Sequence, residues 1–321
     1  VKNEILKILK SNEDFISGQQ LCNEFNVSRT AVWKAIQALR EQGYNIESVT
    51  NKGYRLVSAP DIINKAEIES FLATDFIGKK LIVLDTVDST NTYLKSIANN
   101  SPEGTVVTTR EQTLGKGRLG RVWNNKKDSA LCFSVLLRPC LSPMEVSAIT
   151  PLCGLAVAKA LNQYFDFNAT IKWPNDVIIG NKKICGILTE MSCEFDKVDY
   201  IVVGIGINIT SSAFPQEIAY KATSCKGESN REINKNKLLA LILKEIEDIL
   251  SKSDYRFNEE NLQLYKNSCA TIGRLVTFTR QGKEFSGKAT DINKNGELVV
   301  TLNDGSKETV FSGEVTVQGI Y

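Results

Sequence analysis

The sequence predicts an α+β chain of three successive parts, and three observations predict it. Residues 1 to 43 carry apolar side chains at helical spacing, interrupted by capping residues and closed by a glycine. From about residue 61 short apolar runs alternate with longer helical patterns, which indicates a mixed sheet with helices packed on it. After about residue 270 the pattern becomes four short strands separated by Gln281-Gly282, Asn295-Gly296 and Asp304-Gly305 turns, the composition of a small β-barrel. The length of 321 residues agrees, because at roughly 150 residues per domain one core does not suffice. The expected domains are 1–60, 61–269 and 270–321.

In the first part Ile5, Ile8 and Leu9 share one helical face. A second helix starts at Ser17, with Gln20 placed to close a capping box and Ile16 and Leu21 to staple it, and ends near Phe25. Ser28 caps a third helix whose inner face is Val32, Ile36 and Leu39, and Gly43 stops it. Its outer face presents Arg29, Thr30, Trp33, Lys34, Gln37 and Arg40. Two helices joined by a tight turn, the second with cations and amides near its start, have the geometry that enters a DNA major groove. Ile46 to Val49 and Tyr54 to Val57, joined by Thr50-Asn51-Lys52-Gly53, predict a β-hairpin with Lys52 and Arg55 available to phosphate. The expectation is a winged helix-turn-helix that touches DNA through Arg29, Thr30, Trp33, Lys34, Lys52 and Arg55. A trihelical protein-interaction module with a solvated basic face is the alternative. Residues 1 to 60 hold eight cations against six anions, so a single module binds DNA weakly. Useful occupancy then needs a dimer on a two-fold symmetric operator, with binding that falls as salt rises.

Composition narrows the chemistry. The chain contains no histidine, which removes Ser-His-Asp and Cys-His mechanisms, His-ligated metals and imidazole acid-base catalysis. The 39 basic and 37 acidic residues nearly balance, which argues against a polyanion-coating scaffold. Cysteines 22, 132, 140, 153, 185, 193, 225 and 269 form no C-x-x-C pair and read as reduced, mostly buried small residues. Ile201 to Ile209 and Ala148 to Leu161 fall short of the roughly 18 residues a membrane span needs. The opening residues lack the pattern of a secretory signal, so a cytoplasmic protein is expected.

Ser58-Ala59-Pro60-Asp61 marks the expected boundary to the second part. There Leu81 to Leu84, Thr105 to Thr109, Leu131 to Leu137, Thr170 to Trp173, Ile184 to Thr189 and Tyr200 to Ile209 predict strands. Thr90 to Ala98, Val146 to Tyr164 and Lys237 to Leu250 predict helices.

Four segments carry candidate chemistry. Asp88-Ser89-Thr90-Asn91 opens a helix with spare hydroxyl and amide groups at its positive end; an ordinary cap explains it equally well. Between Arg110 and Lys127 six cations face one anion, Glu111, and Gly115, Gly117 and Gly120 alternate with Lys116, Arg118 and Arg121. Backbone amides can approach an anion there while the side chains neutralise it, although neither a P-loop nor a dinucleotide fingerprint is present. Trp123 at the loop's end suits a cover for a purine or apolar ligand. Lys172-Trp173-Pro174-Asn175-Asp176 ends a strand in a turn that gathers a cation, an amide and a carboxylate. Lys183 precedes an apolar strand through Glu190, and partial desolvation there strengthens its attraction to an anion. Gly204 and Gly206 share one face of the strand ending at Asn208, so either a ligand or a close-packed neighbour can lie on that face.

In this order and behind a winged helix, Gly115 to Arg121, Lys172 to Asp176 and Lys183 to Leu188 resemble the G-R-G-R-x-G-R, K-W-P-N-D and K-x-x-G-I-L patterns of the bifunctional biotin protein ligases that repress the biotin operon. The resemblance covers essentially the whole chain. Lys116 departs from the usual arginine, keeping the charge but not the bidentate fork. The resemblance implies a central biotin/lipoate ligase-like domain of class II synthetase type and an SH3-like C-terminal domain. It also implies a two-step reaction: biotin's carboxylate attacks the α-phosphorus of ATP, brought with Mg2+, and an acceptor lysine then attacks the biotinyl-5′-adenylate. By resemblance Ser89, Thr90, Asn91 and Gln112 hold the biotin ring system, Lys116, Gly117 and Arg118 the carboxylate, and Lys183 the reacting carboxylate and α-phosphate. Lys183 and Arg118 are the expected catalytic residues. Arg121, Trp123, Lys172, Asn175, Asp176 and Asn208 fall to the ATP side, with Arg118 and Lys183 reaching it as well.

The implied partners are the biotin carboxyl carrier protein of acetyl-CoA carboxylase, pyruvate carboxylase or both, the biotin operator, and a second copy of the chain when the adenylate is bound. Like charges in the basic loop predict mobility until an anion organises it. Arg118→Ala is then expected to release more adenylate and weaken repression. The rivals are a lipoate ligase-like enzyme, which usually lacks the winged helix and the Gly115 to Arg121 pattern, and a non-enzymatic biotin-sensing repressor, against which Lys183 and Arg118 argue. A ligase whose helix-turn-helix has lost its operator is a third.

Overall fold

The computed structural model describes residues 1–59, 62–123, 126–194, 196–210, 214, 216–311, 313 and 315–321. The expected boundary at Pro60-Asp61 lies outside them. The chain forms two compact units, Val1–Ile62 and Ile63–Tyr321.

In the first unit α1 (Lys2–Ser11), α2 (Gly18–Phe25) and α3 (Arg29–Glu41) precede a hairpin of β1 (Asn45–Val49) and β2 (Gly53–Ser58). Both expected caps form: the Gln20 N–H donates to Ser17 Oγ at 3.1 Å and the Ala31 N–H to Ser28 Oγ at 3.2 Å. Ile5, Leu9, Leu21, Val32, Ile36 and Leu39 are buried as the periodicity predicts, whereas Ile8 is only half-buried and Leu6 is buried in its place. The hairpin is tied back to the helices by two hydrogen bonds between Ile16 and Tyr54, each 2.9 Å. Gly53 sits at φ +111 with a notional Cβ 2.0 Å from the Ile16 carbonyl oxygen, so only glycine fits this contact.

The second unit contains α4 (Lys65–Phe71), β3 (Leu81–Val87), α5 (Thr90–Ile97), β4 (Val106–Gln112), β5 (Ala130–Leu137), α6 (Ile149–Phe165), β6 (Ala169–Lys172), β7 (Asp176–Ile179), β8 (Lys182–Glu194) and β9 (Lys197–Asn208). Then come α7 (Gln216–Ala219), α8 (Cys225–Glu228), α9 (Lys235–Lys252), α10 (Glu259–Ser268), β10 (Leu275–Arg280), β11 (Lys283–Ile292), β12 (Leu298–Leu302), β13 (Lys307–Val310) and β14 (Val315–Val317). Seven strands form a mixed sheet in the order β3-β4-β5-β9-β8-β7-β6, parallel only between β3 and β4. Side-chain alternation gives this sheet two covered faces. Val106, Val135, Ile201 and Val203 join the main core with α6 and α9, whereas Val107, Leu136 and Val202 pack with Leu94 and Ala98 beneath α5. Because α5 is short, it covers only part of its face.

The last five strands make an antiparallel sheet ordered β13-β12-β11-β10-β14. It joins the seven-stranded sheet at the Trp173 turn. The Trp173 indole, 2% exposed, donates to Gly296 O at 2.9 Å, and its backbone N–H donates to Thr271 Oγ1 at 3.0 Å. Trp173 therefore belongs to the core that seats the Lys172–Asp176 turn.

Among the described residues six elements escape the sequence periodicity: α4, α7, α8 and α10, whose windows are short or polar, and β7 and β14, with four and three residues. Strand β8 runs past Thr189 to Glu194 because pairing with β9 continues where the side chains no longer alternate cleanly. Among the described residues no helix is long and apolar enough to cross a membrane.

Candidate active site

On the α5 face of the seven-stranded sheet, two neighbouring rows of residues define a cleft. In one, Ser134 on β5 stands beside Gly204 on β9, which stands beside Leu188 on β8; in the next, Cys132, Gly206 and Gly186 form a row of small residues. A Cβ on Gly204 would lie 2.2 Å from Asn91 Oδ1, and one on Gly206 would lie 2.7 Å from the Trp123 ring. Two side chains thus reach over the bare strand face, and the glycines still line the space between them. The Trp123 indole N–H is buried without a well-formed hydrogen bond, apart from a weak contact with the Cys132 sulfur.

A narrow cleft lies between these covers. Ser89, Thr90, Asn91 and Gln112 line one end. All four are buried and hydrogen-bonded without a net charge among them. Gln112 Oε1 accepts from the Thr90 N–H at 2.9 Å and from its hydroxyl at 3.1 Å, and Asn91 Oδ1 accepts from the Ser134 hydroxyl at 2.6 Å. The Asn91 amide donates to Glu190 Oε2 at 2.8 Å, and Lys95 grips the other Glu190 oxygen at 2.5 Å. Burial pushes the Glu190 carboxyl up, but the Lys95 and Asn91 hydrogen bonds outweigh it and hold the group below the usual carboxylate range. Ser89 caps α5, its Oγ accepting from the Thr92 N–H.

Lys116, Gly117, Arg118 and Trp123 form the roof of the cleft. Their loop closes on itself: the Gly117 N–H donates to Arg121 O at 2.7 Å and the Trp123 N–H to Gly115 O at 2.8 Å. Leu119 and Gly120, both at positive φ, turn the tip. At the base Arg110 grips Asp128 with two bonds of 2.9 and 2.6 Å, and Asp85 pairs with both Arg110 and Lys127. The Arg110 hydrogen bond outweighs burial and holds the Asp128 carboxyl low. Two of the six cations are therefore neutralised locally, which weakens the self-repulsion behind the expected mobility. Arg118 reaches down to Asn175 Oδ1 and Gly313 O, each at 2.9 Å.

Lys183 and Asn175 line the charged end. The Lys183 ammonium pairs with Asp176 Oδ1 at 2.6 Å, 5.4 Å from the centre of the Trp123 ring, and its side chain folds over Gly186, where a Cβ would come within 3.0 Å of Nζ. Its position on strand β8 follows from the backbone: the Lys183 N–H donates to Lys221 O at 2.8 Å. Burial pushes Lys172 down to about 8, against the opposing pull of Asp176 and with help from Lys183, Arg121 and Lys221.

The structure therefore brings Ser89, Thr90, Asn91, Gln112, Lys116, Gly117, Arg118, Trp123, Asn175 and Lys183 to one cleft. Lys172, Asp176 and Arg121 do not line it; Asp176 pairs with Lys183, and Lys172 feels the charges of Asp176, Lys183 and Arg121. Asn208 does not line it; its amide donates to Thr223 O at 3.0 Å. Sequence reasoning missed Ser134 and Tyr321, and did not give Glu190 its place against Asn91. Ser134 carried a signal, a lone hydroxyl in an otherwise apolar strand; Tyr321 carried none.

On the other unit Arg29, Thr30, Trp33 and Lys34 are exposed along α3, Trp33 at 54%. Several basic side chains of α3 and the hairpin already have partners within the unit. Arg55 is paired with Glu47 at 2.7 Å and lies 4.6 Å above the Phe15 ring, and Arg29 donates to Gln19 at 2.8 Å. Arg40 bonds Ile46 O at 2.7 Å and fastens α3 to the hairpin, so it is structural. Lys52 lies 5.9 Å over Phe15.

A helix-turn-helix unit followed by a sheet with a cation-roofed cleft defines a ligase of the biotin/lipoate class carrying a DNA-binding module. The biotin/lipoate A/B protein ligase family model matches residues 83–208, an HTH domain model residues 1–55, and the biotin protein ligase C-terminal domain model residues 271–317. The chain is 35% identical to the bifunctional ligase/repressor BirA of Bacillus subtilis over 95% of both chains, and 27% identical to that of Escherichia coli over 97% of this chain and 95% of the other. A biotin protein ligase from Aquifex aeolicus, solved in complex with biotin and ATP, superposes with a TM-score of 0.66 at 30% identity, covering 75% of this chain and 99% of that one. The chain belongs to the bifunctional ligase/repressor family of biotin protein ligases.

Proposed function

We propose that the cleft binds biotin at its neutral end and ATP at its cationic end, joins them as biotinyl-5′-adenylate with release of pyrophosphate, and transfers biotin to a lysine of a biotin carboxyl carrier protein. The observation that carries this reading is the position of Lys183, whose ammonium lies where the neutral pocket meets the cationic wall. The carboxylate and the α-phosphate repel each other, and negative charge builds on the phosphoryl oxygens as the bond forms. A fixed cation at the meeting point lowers both barriers. Lys183 exchanges its Asp176 partner for these anions, and Arg118 and Lys116 neutralise them from the roof. Ser89, Thr90, Asn91 and Gln112 supply uncharged donors and acceptors suited to the ureido ring. Trp123 offers its ring and its N–H to the ligand, and Arg121, Lys172, Asn175 and Asp176 set the charge on the nucleotide side. Asn208 acts indirectly, by holding Thr223. Magnesium enters with the triphosphate, whose charge it shares.

The acceptor is the carrier protein of acetyl-CoA carboxylase, pyruvate carboxylase or both. With the adenylate bound, the roof closes over the anhydride and excludes water. The closed form pairs as a homodimer and seats two α3 helices on the biotin operator, in the cytoplasm. Incubating the protein with ATP-Mg, biotin and a carrier domain should add one biotin to the acceptor lysine, read by mass; no addition would refute the ligase reading. Biotin-dependent, lipoate-independent pyrophosphate exchange separates it from the lipoate rival. Operator binding should lose a salt-slope increment of about 1 on Arg29→Ala.

A further inference from the structure

Beyond β14 the chain turns at Gly319, φ +77, buries Ile320 in the main core, and delivers Tyr321 to the Lys172–Asp176 turn. The Tyr321 hydroxyl donates to Asp176 Oδ2 while Asp176 Oδ1 holds Lys183. The Tyr321 ring lies flat against Lys172, whose Nζ is 3.6 Å from the ring centroid. One aromatic side chain from the small β-domain thus touches both partners of the charged end, a carboxylate through its edge and an ammonium through its face.

We propose that Tyr321 is a positioning residue of the nucleotide side, dividing the Asp176 charge between itself and Lys183 and holding the Lys172 ammonium under its ring. This rests on the adenylation reading above. The hydroxyl is suited to the task because burial first, and Asp176 second, push its ionisation far up, so it stays a donor throughout the working range. Without that donor the whole Asp176 charge bears on Lys183, which must leave it to meet the substrate anions. The ring has a separate effect. It keeps water from Lys172, whose other charged neighbours are Asp176, Lys183, Arg121 and Lys221, and gives the ammonium an aromatic face.

Two variants separate the effects. Tyr321→Phe keeps the ring and removes the donor; Tyr321→Leu removes both. In biotin-dependent pyrophosphate exchange, both should raise the KM for ATP roughly tenfold, the scale of a lost hydrogen bond to a charged group, and leave the KM for biotin unchanged. Lys172 is read directly in the free protein by acylation with an activated ester across pH, followed by peptide mass analysis. Half-maximal labelling should fall near pH 8 in the wild type and in Tyr321→Phe, and move toward that of an ordinary lysine in Tyr321→Leu. Wild-type exchange with an unchanged KM for ATP in Tyr321→Phe, or identical labelling curves in all three proteins, overturns the proposal. Absence of exchange in the wild type overturns the adenylation reading instead, and the labelling still decides whether the ring covers Lys172. Thermal midpoints of the variants exclude misfolding as the cause.

Discussion

The two ends of the cleft are built on opposite principles. At the neutral end Thr90, Asn91, Gln112 and Ser134 are buried and bonded to one another, and the nearest charge, Glu190, is compensated by Lys95. At the other end Lys172, Asp176 and Lys183 are only partly buried and share their charges around a single turn. The first arrangement is stiff because each buried polar group depends on its neighbours, and loss of one leaves another unsatisfied. The second is exchangeable, since an ion pair at a partly wet site gives up little when one partner turns to a substrate anion. A ligase that recognises an uncharged ring and activates an acid needs both.

The largest test of that contrast is Lys183→Met, which removes the cation at the junction; pyrophosphate exchange should fall at least about 10²–10³-fold, with biotin binding weakened far less. Equal loss of both would merge the two ends into one. Next, Gly204→Ala forces a methyl to within 2.2 Å of Asn91 Oδ1. At an overpacking cost of about 1–3 kcal/mol the KM for biotin should rise roughly 10- to 100-fold, while the KM for ATP stays as it was. A rise in the ATP value instead would move the ring pocket elsewhere. Ser134→Ala leaves Asn91 Oδ1 without its hydroxyl donor and should lower unfolding stability by about 1–3 kcal/mol in urea titrations, a loss that an exchangeable site would not show.

The last test is a pH dependence. Because the folded Lys172 titrates near 8 and the unfolded one near 10.5, the unfolded chain binds more protons between these values. Stability relative to Lys172→Met should therefore rise as pH increases from 8 toward 10.5, and urea midpoints of the two proteins at pH 7.5 and 9.5 would measure it. A constant difference would mean that Lys172 is hydrated as an ordinary surface lysine.

What the sequence determined by itself is local. Ser17 and Ser28 announce their helices because a cap depends on three or four adjacent residues, and the period of two in β5 and β9 already placed Gly204 and Gly206 on one face. The motif segments likewise announced the cationic loop and the Lys183 strand. Tertiary structure alone decided what lies on those glycines, because Asn91 and Trp123 reach them from separate elements. It also decided that Arg110 and Asp128 lock the loop's base, that Arg40 braces the hairpin, and that the Asn208 amide is taken up by the Thr223 carbonyl. The contact of Tyr321 with Asp176 spans 145 residues, and no periodicity or composition encodes a meeting set by how two sheets dock. Short-range preferences are written in neighbouring side chains, whereas the charge state of a site depends on which distant groups packing brings within a few ångströms.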